Sequence, residues 1–304
     1  MHGIVIRSII AGVLALLLAG PLRAQERPQV EIHTTQLAEH LYALSGVGGN
    51  VVLSVSEQGG LLVDSGYPGL TDQLVEAIRQ HCDRPIRLLI NTHWHFDHVG
   101  GNETLAAAGA LIIAHENVQQ RMSGTQHLHG LDLSMPPAPP GARPVITFDE
   151  VLTVSWKGAP VRIIHVPPAH TDGDCFVHFT AANVLHVGDI WFNGSYPFMD
   201  VNAGGSLDGM IAAADRALAL ADDATRIVPG HGAVGQKPEL QAYRDMLAAV
   251  RDRIGQAIRA GQSREDVIAG KPTRDFDARH GRFGFDPDTW VGLAYDAMTR
   301  SAKP

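Results

Sequence analysis

Six consecutive residues, His93-Trp94-His95-Phe96-Asp97-His98, constrain this chain more than any other stretch: four are potential metal ligands, and Gly100 and Gly101 follow at once. A metal site needs several lone-pair donors converging on one point. Imidazole with carboxylate suits Zn²⁺, with iron or manganese ranked behind it. In extended or turn backbone, alternate residues point the same way, so His93 and His95 can share one ion. Asp97 and His98 come after the turn and can face a second ion nearby. A lone histidine would read as a core or surface group. Four ligand-type residues at this spacing, behind the apolar run Ile86 to Ile90, read as a metal centre.

Such a centre needs donors from further along the chain, and three stand where strands are expected to end. His170 lies in Pro167-Pro168-Ala169-His170-Thr171-Asp172-Gly173-Asp174, Asp189 follows Val184-Leu185-His186-Val187-Gly188, and His231 follows Ile227-Val228-Pro229-Gly230. Ligands in α/β proteins gather at strand C-termini, where the chain leaves the sheet and a crevice opens. Each segment alone would be an ordinary turn. Their order behind the first motif is what makes them candidates.

With these pieces in place the chain resembles the metallo-β-lactamase fold superfamily, through His93-x-His95-x-Asp97-His98, His170-Thr171-x-Gly173-Asp174, Gly188-Asp189 and Gly230-His231. Val63-Asp64-Ser65-Gly66 is similar to that family's early strand-end aspartate. The likeness runs from about residue 40 to about 232. It implies an α/β fold, an αββα four-layer sandwich of two mixed β-sheets with the site at one edge. It also implies that His93, His95 and His170 hold a first zinc and Asp97, His98 and His231 a second. Asp189 stands where glyoxalase-II-like members have a carboxylate bridging both metals, and where two lactamase subclasses have Cys or Ser. That points to the thioesterase and lactonase branch without excluding lactam hydrolysis.

Residues 1–24 read as a secretory signal peptide: a basic start to Arg7, an apolar run from Ile9 to Ala19, and a Gly20-Pro21 break before Ala24. The apolar run is short for a membrane span. Cleavage near Ala24-Gln25 and export to a bacterial periplasm are expected, leaving 25–304 as one catalytic domain with a helical C-terminal segment from about 238 to 304. The 24 Lys and Arg against 32 Asp and Glu give a formal charge of −8, with no basic cluster. Phosphate binding needs concentrated positive charge, so nucleic acid is not expected as a partner. After signal cleavage no membrane is expected either. A small-molecule substrate is expected, and no sequence signal speaks to oligomeric state. Cys82 and Cys175 are read as two buried free thiols.

Apolar patterning predicts strands at 41–44, 51–55, 61–63, 86–90 and 110–114, with helices over 71–80 and 102–108. Strands at 145–148, 152–155, 161–166, 175–179 and 184–187 are expected to build the second sheet. Residues 120–144 carry five prolines and are expected to lack regular structure, as a surface connection or a lid. Trp191 to Phe198, directly after Asp189, is an aromatic stretch that either packs on the sheet or walls a substrate pocket. Helices are predicted over 207–220, 239–260, 264–269 and 287–299. Arg274, Arg279 and Arg282 stand in the C-terminal segment without a recognisable glutathione-gripping motif, which favours a simple helical cover.

Two dications sharing a water would yield hydroxide near neutral pH. The resulting expectation is a dinuclear zinc hydrolase whose hydroxide attacks an ester, lactone, thioester or β-lactam carbonyl. Asp97 would orient the hydroxide, and Asp64 would accept a hydrogen bond from a ligand imidazole. A β-lactamase specifically, and a mono-iron oxidoreductase resembling persulfide dioxygenases, are the alternatives.

Overall fold

The computed structural model describes residues 29–281 and 284–300; the expected signal peptide and its cleavage position lie outside them. The chain starts with four strands, β1 (His33–Ala38), β2 (Leu41–Ser45), β3 (Val51–Ser56) and β4 (Gly59–Val63). There follow α1 (Thr71–Arg79), β5 (Ile86–Ile90), α2 (Phe96–Val99), α3 (Asn102–Ala107), β6 (Leu111–His115) and α4 (Glu116–Ser123). A small hairpin, β7 (Gln126–Leu128) and β8 (Leu133–Met135), precedes β9 (Ile146–Phe148). Next come β10 (Val151–Trp156), β11 (Ala159–His165), β12 (Cys175–Phe179), β13 (Val184–His186), β14 (Phe192–Asn193), α5 (Leu207–Leu220), β15 (Arg226–Val228) and β16 (His231–Gly232). Helices α6 (Lys237–Arg259), α7 (Arg264–Ala269), α8 (Asp277–His280) and α9 (Pro287–Arg300) complete the described chain.

Two mixed sheets form the interior, one in the order β1-β2-β3-β4-β5-β6-β9 and the other β10-β11-β12-β13-β15. β1 to β4 run antiparallel, whereas β4, β5, β6 and β9 are mutually parallel. In the second sheet only the β13–β15 pair is parallel. Successive strand residues point to opposite faces, and the sequence uses both faces for apolar groups. Leu61 and Val63 join Ile163, Val177 and Val228 between the sheets, while Leu62 turns outward to Leu74 and Ile78 of α1. Ile164, Phe176 and Leu185 face the other way, onto Met210 and Ala214 of α5 and Leu247 of α6. The result is the expected αββα layering.

Three local expectations need correction. β9 joins the first sheet, parallel to β6 with Ile113 opposite Ile146, because the α4 segment acts as a crossover that returns the chain in the same direction. Residues 120–144 are not without regular structure: α4 reaches Ser123 and the β7–β8 hairpin follows. Pro136 and the later prolines all lie after that hairpin, so they interrupt nothing. β1 went unanticipated because its first four residues are exposed, so it shows no apolar alternation.

The parallel strands deliver their C-termini to one edge, where a buried polar knot ties the loops together. Asn102 is fully buried; its Nδ2 donates to Asn91 Oδ1 and Ala142 O, both at 2.9 Å. Its Oδ1 accepts from Ser65 Oγ at 2.8 Å and Asn91 Nδ2 at 3.1 Å. Replacing it leaves several buried donors and acceptors without partners, each costing about 1–3 kcal/mol. Asn102→Ala should therefore lower the unfolding free energy by roughly 2–4 kcal/mol in denaturant titration; a change below about 0.5 kcal/mol would show that the knot contributes nothing.

Candidate metal centre

All seven residues singled out from the sequence meet at that edge. β5 ends at Ile90, and Asn91-Thr92 carries the chain to His93. Asp64, just past β4, adopts a left-handed backbone (φ +62°) that is unfavourable for most side chains but tolerated by Asp. From there its carboxylate accepts from Thr92 N at 2.8 Å, Thr92 Oγ1 at 2.7 Å and His98 Nδ1 at 2.8 Å. Asp97 and His98 lie on α2, with His95 just before it. His170 sits in the loop between β11 and β12. Asp174 shapes that loop by accepting from His170 N, Thr171 N and Thr171 Oγ1 at 2.6–2.9 Å. Burial pushes the Asp174 carboxyl up to about 7, against the pull of those hydrogen bonds.

Asp189 follows β13 on a tight turn, and His231 opens β16. Glycines make this approach possible. A Cβ at Gly230 would lie 1.9 Å from Asp189 Oδ1, and one at Gly49 would lie 2.1–2.7 Å from three atoms of the His98 ring. Neither position could carry a side chain without displacing the carboxylate or the imidazole.

The donor atoms fall into two groups, His93, His95, His170 and Asp189, and Asp97, His98 and His231, with the ligand atoms of each within 4.8 Å of one another. His95 Nδ1 and His170 Nε2 are 2.8 Å apart, and His170 Nε2 is 3.4 Å from Asp189 Oδ2. Asp189 reaches both groups: Oδ1 is 3.1 Å from His98 Nε2, and Oδ2 is 3.3 Å from His231 Nε2 and 3.9 Å from His93 Nε2. Asp97 Oδ2 is 3.3 Å from His231 Nε2.

The far ring nitrogens explain why the near ones converge. His93 Nδ1 is 3.0 Å from Thr92 Oγ1, whose own proton goes to Asp64. His98 Nδ1 faces Asp64 at 2.8 Å, His170 Nδ1 faces Phe198 O at 2.8 Å, and His95 Nε2 faces Asp200 Oδ2 at 3.2 Å. Each far nitrogen meets an acceptor and must donate, so in a neutral ring the near nitrogen carries a lone pair. Buried lone pairs aimed at one another repel unless a cation lies among them. His93 Nε2 is a buried atom without a hydrogen-bond partner, and His98 Nε2 and Asp189 Oδ1, though 3.1 Å apart, find no well-aligned partner either, as such a site requires. The donor set therefore fits divalent metal ions. Asp200, Thr92 and the Phe198 carbonyl are functional groups that sequence reading missed. Asp200 lies at the end of an aromatic stretch rather than behind a strand, and a backbone carbonyl leaves no mark in a sequence.

Electrostatics separates the two groups. Burial, reinforced by neighbouring imidazoles, holds His93 well below the usual histidine range, and burial brings His170 down to about 4. Burial would also lower His98 and His231, but the aspartates win: Asp189, Asp97 and Asp64 hold His98 well up, and Asp189 with Asp97 brings His231 to about 9, so these two near nitrogens attract a positive charge, a proton when no metal is bound and a metal ion in its place once one binds. Burial disfavours the charged Asp97, yet His98 and His231 hold its carboxyl down at about 2. Tyr67 is half-buried near these carboxylates; burial, Asp97 and Asp189 push its phenol up, so it keeps its proton.

Aromatic rings flank the centre. Phe192 stacks on His231 with ring centroids 5.0 Å apart, and Phe198 lies 5.8 Å from His95. The expected aromatic stretch thus divides its duties, since Trp191 is packed in the core. His127 and His129 make contacts elsewhere, with Ser134 and Arg300. Cys82 and Cys175 are buried free thiols. A cleft of about 290 Å³ lined by Leu41, Trp156, Val161 and Phe179 opens at the opposite ends of the strands and contains none of the seven residues. Among the described residues no helix is long and apolar enough to cross a membrane.

Comparison with known proteins agrees with this geometry. The chain is 26% identical over 176 residues to a hydroxyacylglutathione hydrolase of Polaromonas sp., and 29% identical over 210 residues to the 2,4-dinitroanisole O-demethylase subunit alpha of Nocardioides sp.. These matches cover 55% and 67% of this chain, and 59% of each relative's own length. Among solved structures, a metallo-beta-lactamase from Pontibacter korlensis superposes with a TM-score of 0.59 at 19% identity, covering 72% of this chain and 99% of its own. A stereoselective inverting sec-alkylsulfatase from Pseudomonas sp. superposes with a TM-score of 0.66 at 15% identity, covering 87% of this chain and 50% of its own. At these identities the structural matches establish the fold. Residues 44–231 match the family model of the metallo-beta-lactamase superfamily, and the chain belongs to that superfamily.

Proposed function

We propose that this chain is an exported dinuclear zinc hydrolase that opens a carbonyl substrate, with the catalytic domain spanning 25–304. His93, His95 and His170 would hold one ion, Asp97, His98 and His231 the other, and Asp189 both. The observation that carries this reading is the set of far-nitrogen hydrogen bonds that leaves four imidazole lone pairs, with Asp189, converging at one edge. The mixed imidazole and carboxylate set favours zinc.

When bound, the two ions would polarise a carbonyl and acidify a water enough for it to attack near neutral pH. The protein's own part is positioning and proton handling. Asp97 is held ionised and is 13% exposed in its side chain, so it can accept a hydrogen bond from the attacking water and return the proton to the leaving group. Asp64 and Asp200 keep His98 and His95 in the ligand tautomer. Phe192 and Phe198 shield the imidazoles from water, which strengthens every charge interaction inside. Tyr67 keeps its proton and can therefore donate a hydrogen bond.

The bridging position of Asp189 and the hydroxyacylglutathione hydrolase relative support an ester, thioester or lactone substrate over a β-lactam. The lactamase structures share the fold alone, so lactam hydrolysis stays the second reading. A complete second donor group disfavours a one-iron oxidoreductase, which would need only His93, His95 and His170.

Purified protein reconstituted with zinc should hold about two ions per chain by elemental analysis and hydrolyse activated esters or thioesters faster than nitrocefin. One iron per chain with oxygen uptake would overturn the reading. Asp97→Ala should lower kcat by roughly 10³-fold or more; a variant with both ions and undiminished turnover contradicts its role. Asp200→Ala should weaken metal retention about 10- to 100-fold in chelator competition, as for other groups that orient a ligand imidazole. Unchanged retention would show that His95 does not need its carboxylate partner.

A further inference from the structure

Phe198 does two jobs at once. Its carbonyl accepts from His170 Nδ1, and its ring lies 5.8 Å from His95 and 6.0 Å from His170. Two separate segments converge on that ring. Phe285, just before α9, stacks on it with centroids 6.0 Å apart and planes at 29°. Gly130, at the tip of the β7–β8 hairpin, packs so closely that a Cβ there would meet Phe198 Cε2 at 2.8 Å and Leu293 Cδ2 at 3.2 Å. Beside it Leu131 is 40% exposed, a large apolar side chain that the fold does not bury.

This assembly is fixed to the site. Asn202 Nδ2 donates to His127 O at 2.8 Å, tying the hairpin to the loop that carries Phe198 and Asp200. Trp290 Nε1 donates to Pro197 O at 2.7 Å, and its ring stacks on Tyr196 at 4.6 Å, tying α9 to the same loop. Phe285 and Leu293 are only half-buried. An apolar surface next to reacting groups is costly to leave wet, and it gains when a substrate group covers it.

We propose that the substrate carries an aromatic or bulky apolar group beside its reacting carbonyl, and that this group rests on a shelf made by the half-buried Phe285 and Leu293 with the exposed Leu131, the buried Phe198 ring lying between Phe285 and the imidazoles. The proposal rests on the hydrolase reading and names its substrate class. It gives the C-terminal segment a role beyond covering the sheet, because Phe285 and Leu293 lie outside the part of the chain that matches the family model.

Zinc-loaded full-length protein is assayed on p-nitrophenyl acetate and p-nitrophenyl phenylacetate, each kcat/KM being divided by that ester's rate with hydroxide. In parallel, calorimetry measures binding of acetate and phenylacetate. The phenylacetyl ester should be preferred by about tenfold or more, and phenylacetate should bind correspondingly tighter than acetate. Phe285→Ala and Leu131→Ser should each reduce both preferences about three- to tenfold, mainly through KM and Kd. Leu131 is exposed enough that its variant should fold. Val145→Ser, 66% exposed at the edge of the first sheet, should leave both preferences unchanged. Equal turnover of the two esters with indifferent variants overturns the shelf and leaves the hydrolase reading standing. Absent turnover, with a phenylacetate preference that Phe285→Ala abolishes, overturns the hydrolase reading and supports the shelf. Equal binding of the two acids overturns the shelf whatever the turnover.

Discussion

The structure depends on hydrogen bonds made by imidazole nitrogens that face away from the site. Thr92, Asp64, Asp200 and the Phe198 carbonyl each engage one far nitrogen of His93, His98, His95 and His170. A neutral imidazole has one proton, so committing it on one side dictates a lone pair on the other. Four lone pairs and two carboxylates then crowd a small buried volume. That arrangement is expensive unless cations are bound, and a chain that maintains it in a packed interior is organised around them.

The fold serves this arrangement in identifiable ways. Parallel pairing of β4, β5 and β6 brings Asp64 and His93 to the same edge, and parallel pairing of β13 with β15 does so for Asp189 and His231. Face-to-face packing of the two sheets then joins the two halves of the site. Gly49 and Gly230 let backbone come close enough for His98 and Asp189 to reach their places. Asn102 locks the loops behind them. The centre is thus the meeting point of four chain segments.

Much of this was legible in the sequence for a physical reason: ligand residues keep their chemistry at fixed local spacing, and apolar strands show as short runs. His93 to His98, His170, Asp189 and His231 could be found that way, as could the helices over 207–220 and 264–269. What could not be found depends on distant pairing. Asp200 is recognisable only through its approach to His95, 105 residues away in the chain. β1 lacked an apolar pattern because it lies at an exposed sheet edge. β9 was assigned to the wrong sheet because its residues suit either face-to-face partner, and only the crossover decides. The prolines at 136–144 suggest a lack of regular structure over 120–144, whose paired part precedes them.

Anomalous scattering at the zinc edge, from crystals of the metal-loaded protein, tests the central claim most directly. The account predicts two peaks about 3.5–4 Å apart, as in other two-metal sites. One should lie against His93 Nε2, His95 Nδ1 and His170 Nε2, the other against Asp97, His98 Nε2 and His231 Nε2, with Asp189 reaching both. A single peak, or peaks away from these atoms, would contradict it.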